Sequence, residues 1–79
     1  MRVEAYVFIT TATPRATCRT VRGLPGVVRA DALFGSPDVI ALVGGKDIAS
    51  MDAVIDAIVA LPGVAGTDSK VARWIADEA

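Results

Sequence analysis

The tetrapeptide Leu24-Pro25-Gly26-Val27 returns as Leu61-Pro62-Gly63-Val64, 37 positions further along the chain. Each copy closes an apolar run with helical spacing and opens a β-rich one. Pro cannot continue a helix, Gly supplies the turn, and the Val that follows starts an extended segment. A chain punctuated twice in this way reads as two copies of one strand-helix-turn-strand unit.

The offset is tested by reading backwards from each copy. Val21 falls opposite Ile58, Cys18 opposite Ile55, Thr17 opposite Val54, Ala16 opposite Ala53 and Thr13 opposite Ser50, so apolar residues occupy matching helical positions through a full helix. A β-α-β-β-α-β repeat predicts an α+β fold on the ferredoxin-like plan. Two split βαβ units interleave into one antiparallel four-stranded sheet, with both helices on one face.

With 79 residues, the chain is read as a single domain over residues 1–79. A domain of that size buries only about 60% of its unfolded surface, so it needs a staple or a partner. One cysteine excludes an internal disulfide, and one cysteine with no histidine excludes a zinc or iron-sulfur ligand set. No cofactor or metal is expected, and assembly is the remaining support. The hydrophobic fraction is 53%, yet no apolar run reaches the roughly 18–20 residues of a membrane helix. The start, Met1-Arg2-Val3-Glu4, does not read as a signal peptide. The expected setting is therefore the cytoplasm, with no membrane contact. A net charge of −1 provides no footprint for direct nucleic-acid binding, which relies on clustered Lys and Arg.

Taken in order, strand one covers about Arg2 to Thr11. Tyr6-Val7-Phe8-Ile9 is apolar on both alternating faces, as in a central strand that meets the helices on one side and a separate cover on the other. Thr13 is the expected N-cap and Pro14 the first helical residue of a helix to about Leu24. Its stripe is Pro14, Cys18, Val21 and Leu24 with Thr17 alongside, which makes Cys18 a small buried hydrophobe rather than a reactive thiol. Its other face carries Arg15, Arg19 and Arg22. Asp52 and Asp56 occupy the matching positions of the second helix, so ion pairs of about 0–1 kcal/mol between the helices are expected.

Strand two, Val27 to Phe34, puts Val28, Ala30, Ala32 and Phe34 on one face and Arg29 and Asp31 on the other, an edge pattern. Gly35-Ser36-Pro37 turns the chain and Asp38 opens strand three, which is apolar on both faces from Val39 to Val43. Strands one and three are thus central. Asp47 or Ser50 caps helix two, which runs to about Leu61 on a stripe of Met51, Val54, Ile55, Ile58 and Leu61. Strand four, Val64 to about Ile75, begins with the polar run Gly66-Thr67-Asp68-Ser69-Lys70, and the tail after Trp74 is expected to fray.

In this order the pieces resemble the effector-binding and oligomerisation (RAM) domain of the Lrp/AsnC family of transcription regulators. The resemblance rests on Ala5-Tyr6-Val7-Phe8-Ile9, both Leu-Pro-Gly-Val turns, Phe34-Gly35-Ser36-Pro37-Asp38-Val39-Ile40 against a Gly-x-x-Asp hairpin, and Gly66-Thr67-Asp68-Ser69 against a Thr-Glu-Thr run. It implies a stand-alone version without the helix-turn-helix domain. Such a protein would be a homodimer closing as a dimeric α+β barrel, with further assembly into rings and partnership with full-length regulators. It further implies a small effector, usually an amino acid, bound near the hairpin and the start of the last strand. For a zwitterion, Asp38 would accept the ammonium, while the amides of Gly35 and Ser36 and the hydroxyls of Thr67 and Ser69 would donate to the carboxylate. Alternatively, Asp38 bonds the hairpin turn itself.

Four other functions are weighed. A purely structural partner of full-length regulators needs no ligand. A small enzyme of the dimeric α+β barrel type would need a base, and with no His, Asn or Gln no candidate has an evident partner, so the chain is not read as an enzyme. An RNA-binding module of the RRM type needs aromatic residues on both central strands, and strand three is entirely aliphatic. A metal chaperone would need a Cys-x-x-Cys pair, which is absent.

Overall fold

The computed structural model of the protein describes residues 2–73 and residue 75. Its elements follow the repeat: β1 (Val3–Thr11), α1 (Pro14–Arg22), β2 (Val27–Ala32), β3 (Val39–Gly45), α2 (Ile48–Val59) and β4 (Val64–Val71). The strands form one antiparallel sheet in the order β2-β3-β1-β4. The two doubly apolar strands are therefore central, and the ferredoxin-like α+β plan is the observed one. Ala5, Val7 and Ile9 of β1 and Val39, Ala41 and Val43 of β3 are buried on one face, under Cys18 and Val21 of α1 and Met51 and Ile58 of α2. Fully burying a side chain of Val or Ile size contributes about 1.5–3 kcal/mol, so this layer is the main source of stability. Cys18 is part of it, as a free, buried thiol.

The repeated tetrapeptide is also a repeated geometry. Gly26 and Gly63 have φ of 88° and 89°, a left-handed conformation that other residues adopt at a cost. The Val27 and Val64 amides donate to the Leu24 and Leu61 carbonyls, each at 3.3 Å. Each turn also leans on the opposite half of the chain. A Cβ on Gly26 would collide with Val54 Cγ2 of α2, and one on Gly63 would stand 3.2 Å from Thr13 Oγ1 at the start of α1. Both helices end two residues before the expected Leu, at Arg22 and Val59. The Leu24 amide bonds Val21 and the Leu61 amide bonds Ile58, a tightened i to i−3 turn that consumes the last carbonyls.

Several local expectations are corrected. The β2–β3 register shifts between Val27 and Arg29, so Val28 is an extra, exposed residue. Of Val28, Ala30, Ala32 and Phe34, only Ala30 is buried; the strand stops at Ala32 and Phe34 is fully exposed beyond it. Arg22 Nε donates to the Ala30 carbonyl at 2.9 Å, covering part of this sheet edge. Asp47 is the cap of α2, accepting the Ser50 amide at 2.8 Å, and that hydrogen bond holds its carboxyl below the usual carboxylate value. Thr13 occupies the N-cap position of α1 without a side-chain cap bond; its hydroxyl meets those of Thr17 and Thr11 instead. The expected ion pairs between helices are not made. The three ion pairs among the described residues, Arg2–Glu4, Arg29–Asp31 and Asp68–Lys70, each join positions i and i+2. β4 ends at Val71, and Ile75 lies outside it and exposed. The expectation for the tail after Trp74 lies, Ile75 excepted, outside the described residues. Among those residues no helix is long and apolar enough to cross a membrane.

The Gly26 contact yields a stability test. Gly26→Ala forces a left-handed residue against Val54 and is expected to cost about 1–3 kcal/mol in urea unfolding. Gly66→Ala, with no atom within 4 Å of the new Cβ, is expected to stay within about 0.5 kcal/mol of the parent.

Candidate functional site

The site starts from one carboxylate. Asp38 closes the β2–β3 hairpin with its backbone, its carbonyl accepting the Leu33 amide at 2.8 Å and its own amide donating to the Ile9 carbonyl at 3.0 Å. Its Oδ2 accepts the Thr11 amide at 2.9 Å. Backbone and side chain together therefore anchor the hairpin to the end of β1. The anchored hairpin carries Ser36 and Pro37, joined by a cis peptide, across the end of β1 towards β4.

Between hairpin and β4 lies an open groove of about 510 Å³, a volume suited to a small ligand. Ser36 and Pro37 form one wall, Phe8 and Thr10 of β1 the floor, and Gly66, Thr67, Asp68 and Lys70 of β4 the other wall. Residues paired across antiparallel strands share a face. Asp68 pairs with Phe8 and Lys70 with Tyr6, on the face away from the helices; Thr67 pairs with Ile9 and Ser69 with Val7, whose side chains are buried on the helix side. Asp68 Oδ2 and Lys70 Nζ are 3.2 Å apart and largely exposed.

Of the five residues singled out in the sequence, Ser36 and Thr67 border the groove. Gly35, Asp38 and Ser69 do not line it, and the Asp38 carboxylate is engaged by Thr11. The Gly35 and Ser36 amides are bonded to no described residue. Sequence reading passed over Phe8, Thr10, Asp68 and Lys70. The available signal for the last two was their spacing: opposite charges at i and i+2 of a strand share one face.

The same face continues as an apolar strip of Tyr6, Phe8, Ile40 and Leu42. Tyr6 is 44% exposed, and the other three are half-buried although no element among the described residues covers them. A second hollow of about 300 Å³ lies between this strip and Arg29 and Asp31 at the β2 edge. Among the described residues no group of His, Cys, Asp or Glu is placed to hold a metal ion.

Fold and groove together define an α+β domain with an apolar sheet face that no described element covers and a ligand-sized groove at one corner. The chain belongs to the Lrp/AsnC ligand-binding-domain family, whose model matches residues 4–73. It is similar to TTHA0845 from Thermus thermophilus, with 28% identity and a TM-score of 0.84 over 94% of this chain and 96% of that one. It is also similar to an AsnC family transcriptional regulator from Agrobacterium tumefaciens (25% identity, TM-score 0.78, 94% of this chain and 52% of that one). A third similar structure is the transcriptional regulator NMB0573 from Neisseria meningitidis in complex with L-Met (21% identity, TM-score 0.75, 91% of this chain and 50% of that one). The chain thus spans about half the length of each of these two regulators. No curated protein sequence matches it.

The Asp38 geometry sets the second test. Asp38→Ala leaves the buried Thr11 amide without its acceptor and is expected to lower unfolding stability by about 1–3 kcal/mol. Asp38→Asn, which keeps one carbonyl oxygen, should lose less. An unchanged unfolding midpoint for Asp38→Ala would show that this amide is satisfied elsewhere.

Proposed function

We propose that this protein is a small-molecule sensing and oligomerisation domain that modulates transcription regulators in the cytoplasm without itself binding DNA, and that its effector is an amino acid held in the corner groove. The observation that carries this reading is the Asp68–Lys70 pair, opposite charges 3.2 Å apart beside the apolar surfaces of Phe8 and Pro37. An exposed ion pair is worth about 0–1 kcal/mol, so a zwitterion opens it at little cost. The ligand ammonium then binds Asp68 and its carboxylate Lys70, with the unengaged Gly35 and Ser36 amides as further donors. Asp38 acts one step back, by fixing the hairpin that carries those amides. The L-Met bound to the similar regulator from Neisseria meningitidis supports an amino acid as the ligand class.

The apolar strip supports a homodimer formed by two open sheet faces. Arg29 pairs with Asp31 and Asp68 with Lys70, so each edge of the strip is neutralised within its own strand before a second sheet approaches. A specific interface of this kind buries about 1,200–2,000 Å². The occupied Asp38 carboxylate favours a second reading, in which the chain is a purely structural partner of full-length regulators. A ligand screen separates the two.

An amino acid that binds only the native protein should raise its melting temperature, by an amount corresponding to about 2.7 kcal/mol at a hundredfold excess over Kd. Calorimetric titration should then show Asp68→Ala and Lys70→Ala weakening that ligand by about 1.5–3 kcal/mol, roughly tenfold to a hundredfold in Kd. No response to any common amino acid from a folded dimer would leave the structural reading. Separately, light scattering should give a dimer mass for the parent, and Leu42→Asp, a charge in the centre of the strip, should give a monomer. A Leu42→Asp protein that remains dimeric would place the interface elsewhere.

A further inference from the structure

The helix layer carries two charged surfaces left unmatched among the described residues. On α1, Arg15 and Arg19 are exposed and one helical turn apart, and neither joins an ion pair among the described residues. They border a hollow of about 310 Å³ between α1 and Ala32 of the β2 edge. A second hollow of about 240 Å³ adjoins it, sharing Arg15 and Ala32 and ending at Leu33 and the fully exposed Phe34. Together they make a trough that is basic along α1 and apolar at the end nearest Pro14.

The complement lies on α2. Its outward face shows Asp52 and Asp56, also one turn apart and also unpaired among the described residues, followed by Val59, which is 52% exposed. Four residues of helix rise about 6 Å, so the two arginines and the two aspartates have the same spacing, and two helices laid antiparallel satisfy both pairs at once. In that register Arg15 meets Asp56, Arg19 meets Asp52, and Val59 falls on the apolar end of the trough.

We infer that the α1–β2 trough of one copy of this chain receives the exposed face of α2 from a second copy. Charge complementarity selects this occupant over nucleic acid. Phosphates would be attracted by two arginines on a chain of net charge −1, and they would leave the matching aspartates and the exposed Val59 unused. The contact uses the helix layer and leaves the open sheet face free, so it joins units already formed through that face and does not depend on the groove being occupied. It unites two different surfaces. A copy disabled on one surface is therefore still captured by a copy disabled on the other.

Sedimentation velocity at about 50 mM and about 1 M sodium chloride tests this, because exposed charge pairs are screened at the higher salt. The parent should show a larger species at low salt that falls to about half its mass or less at high salt. Arg15→Glu/Arg19→Glu and Asp52→Arg/Asp56→Arg should each lack that species at low salt, and an equimolar mixture of the two should restore it. A sheet-face dimer mass that persists in all variants confirms that the other interface is intact. A parent mass independent of salt, either variant assembling as the parent does, or a mixture that fails to assemble would overturn the inference. Duplex DNA bound by the parent and lost with the arginines, without a salt-dependent change in mass, would overturn it in favour of a phosphate partner.

Discussion

The hydrogen bond from the Thr11 amide to the Asp38 carboxylate is the constraint on which the rest of the site depends. β1 pairs with β3 as far as Ile9 opposite Val39, and its register with β4 shifts between Thr10 and Thr11. The Thr11 amide is thus left at the end of one ladder and at an irregularity of the other. Asp38 supplies a carboxylate oxygen in place of the next backbone carbonyl. The Thr11 hydroxyl then accepts the Thr13 amide and meets the Thr17 hydroxyl at 2.9 Å. The end of β1, the hairpin and the start of α1 are fixed by bonds within a few residues of one another. A groove walled by the hairpin has a defined shape because this junction is satisfied.

What could be read from the sequence, and what could not, follows the range over which each signal acts. The tetrapeptide repeat and the apolar spacing before it act within one or two turns of chain, so element order, the central pair of strands and the burial of Cys18 were legible. The Asp38 acceptor role joins residues 27 positions apart, and nothing in the local pattern separates it from a ligand-binding carboxylate. The early part of β4 is a run of small and polar residues from Gly66 to Lys70, which carries no large apolar residue to mark its faces. Its parity was set by pairing with Phe8 and Val7, so the hydroxyls of Thr67 and Ser69 stood out in sequence while Asp68 and Lys70 turned out to share the open face. The extra residue at Val28 likewise followed from pairing with β3, and it undid a regular alternation that looked continuous.

The two faces of the sheet illustrate how one small fold divides its tasks. The buried core on the helix side is apolar, apart from the Thr11 and Thr17 hydroxyls that satisfy each other, and it accounts for stability. The open side mixes aromatic, aliphatic and charged groups, with its charges at the edges already paired along single strands. Desolvating an unpaired charge is far costlier than desolvating a neutralised pair. That arrangement lets the face approach another surface without first breaking bonds that the fold needs.

The exchange of supports between the two turns has a consequence for how the chain reaches its structure. The first turn rests on Val54 from the second repeat, and the second rests on Thr13 from the first. Neither repeat contains the surface against which its own turn closes, although each contains a full strand-helix-strand sequence. The two halves are therefore mutual templates. Contacts of such sequence separation delay folding relative to a helical protein of equal size, because the loop must close before the contact forms. They also bind the fate of one repeat to the other: drift at Val54 is felt at Gly26, and drift at Thr13 is felt at Gly63. A chain built as a duplication is in this way held to a single cooperative unit.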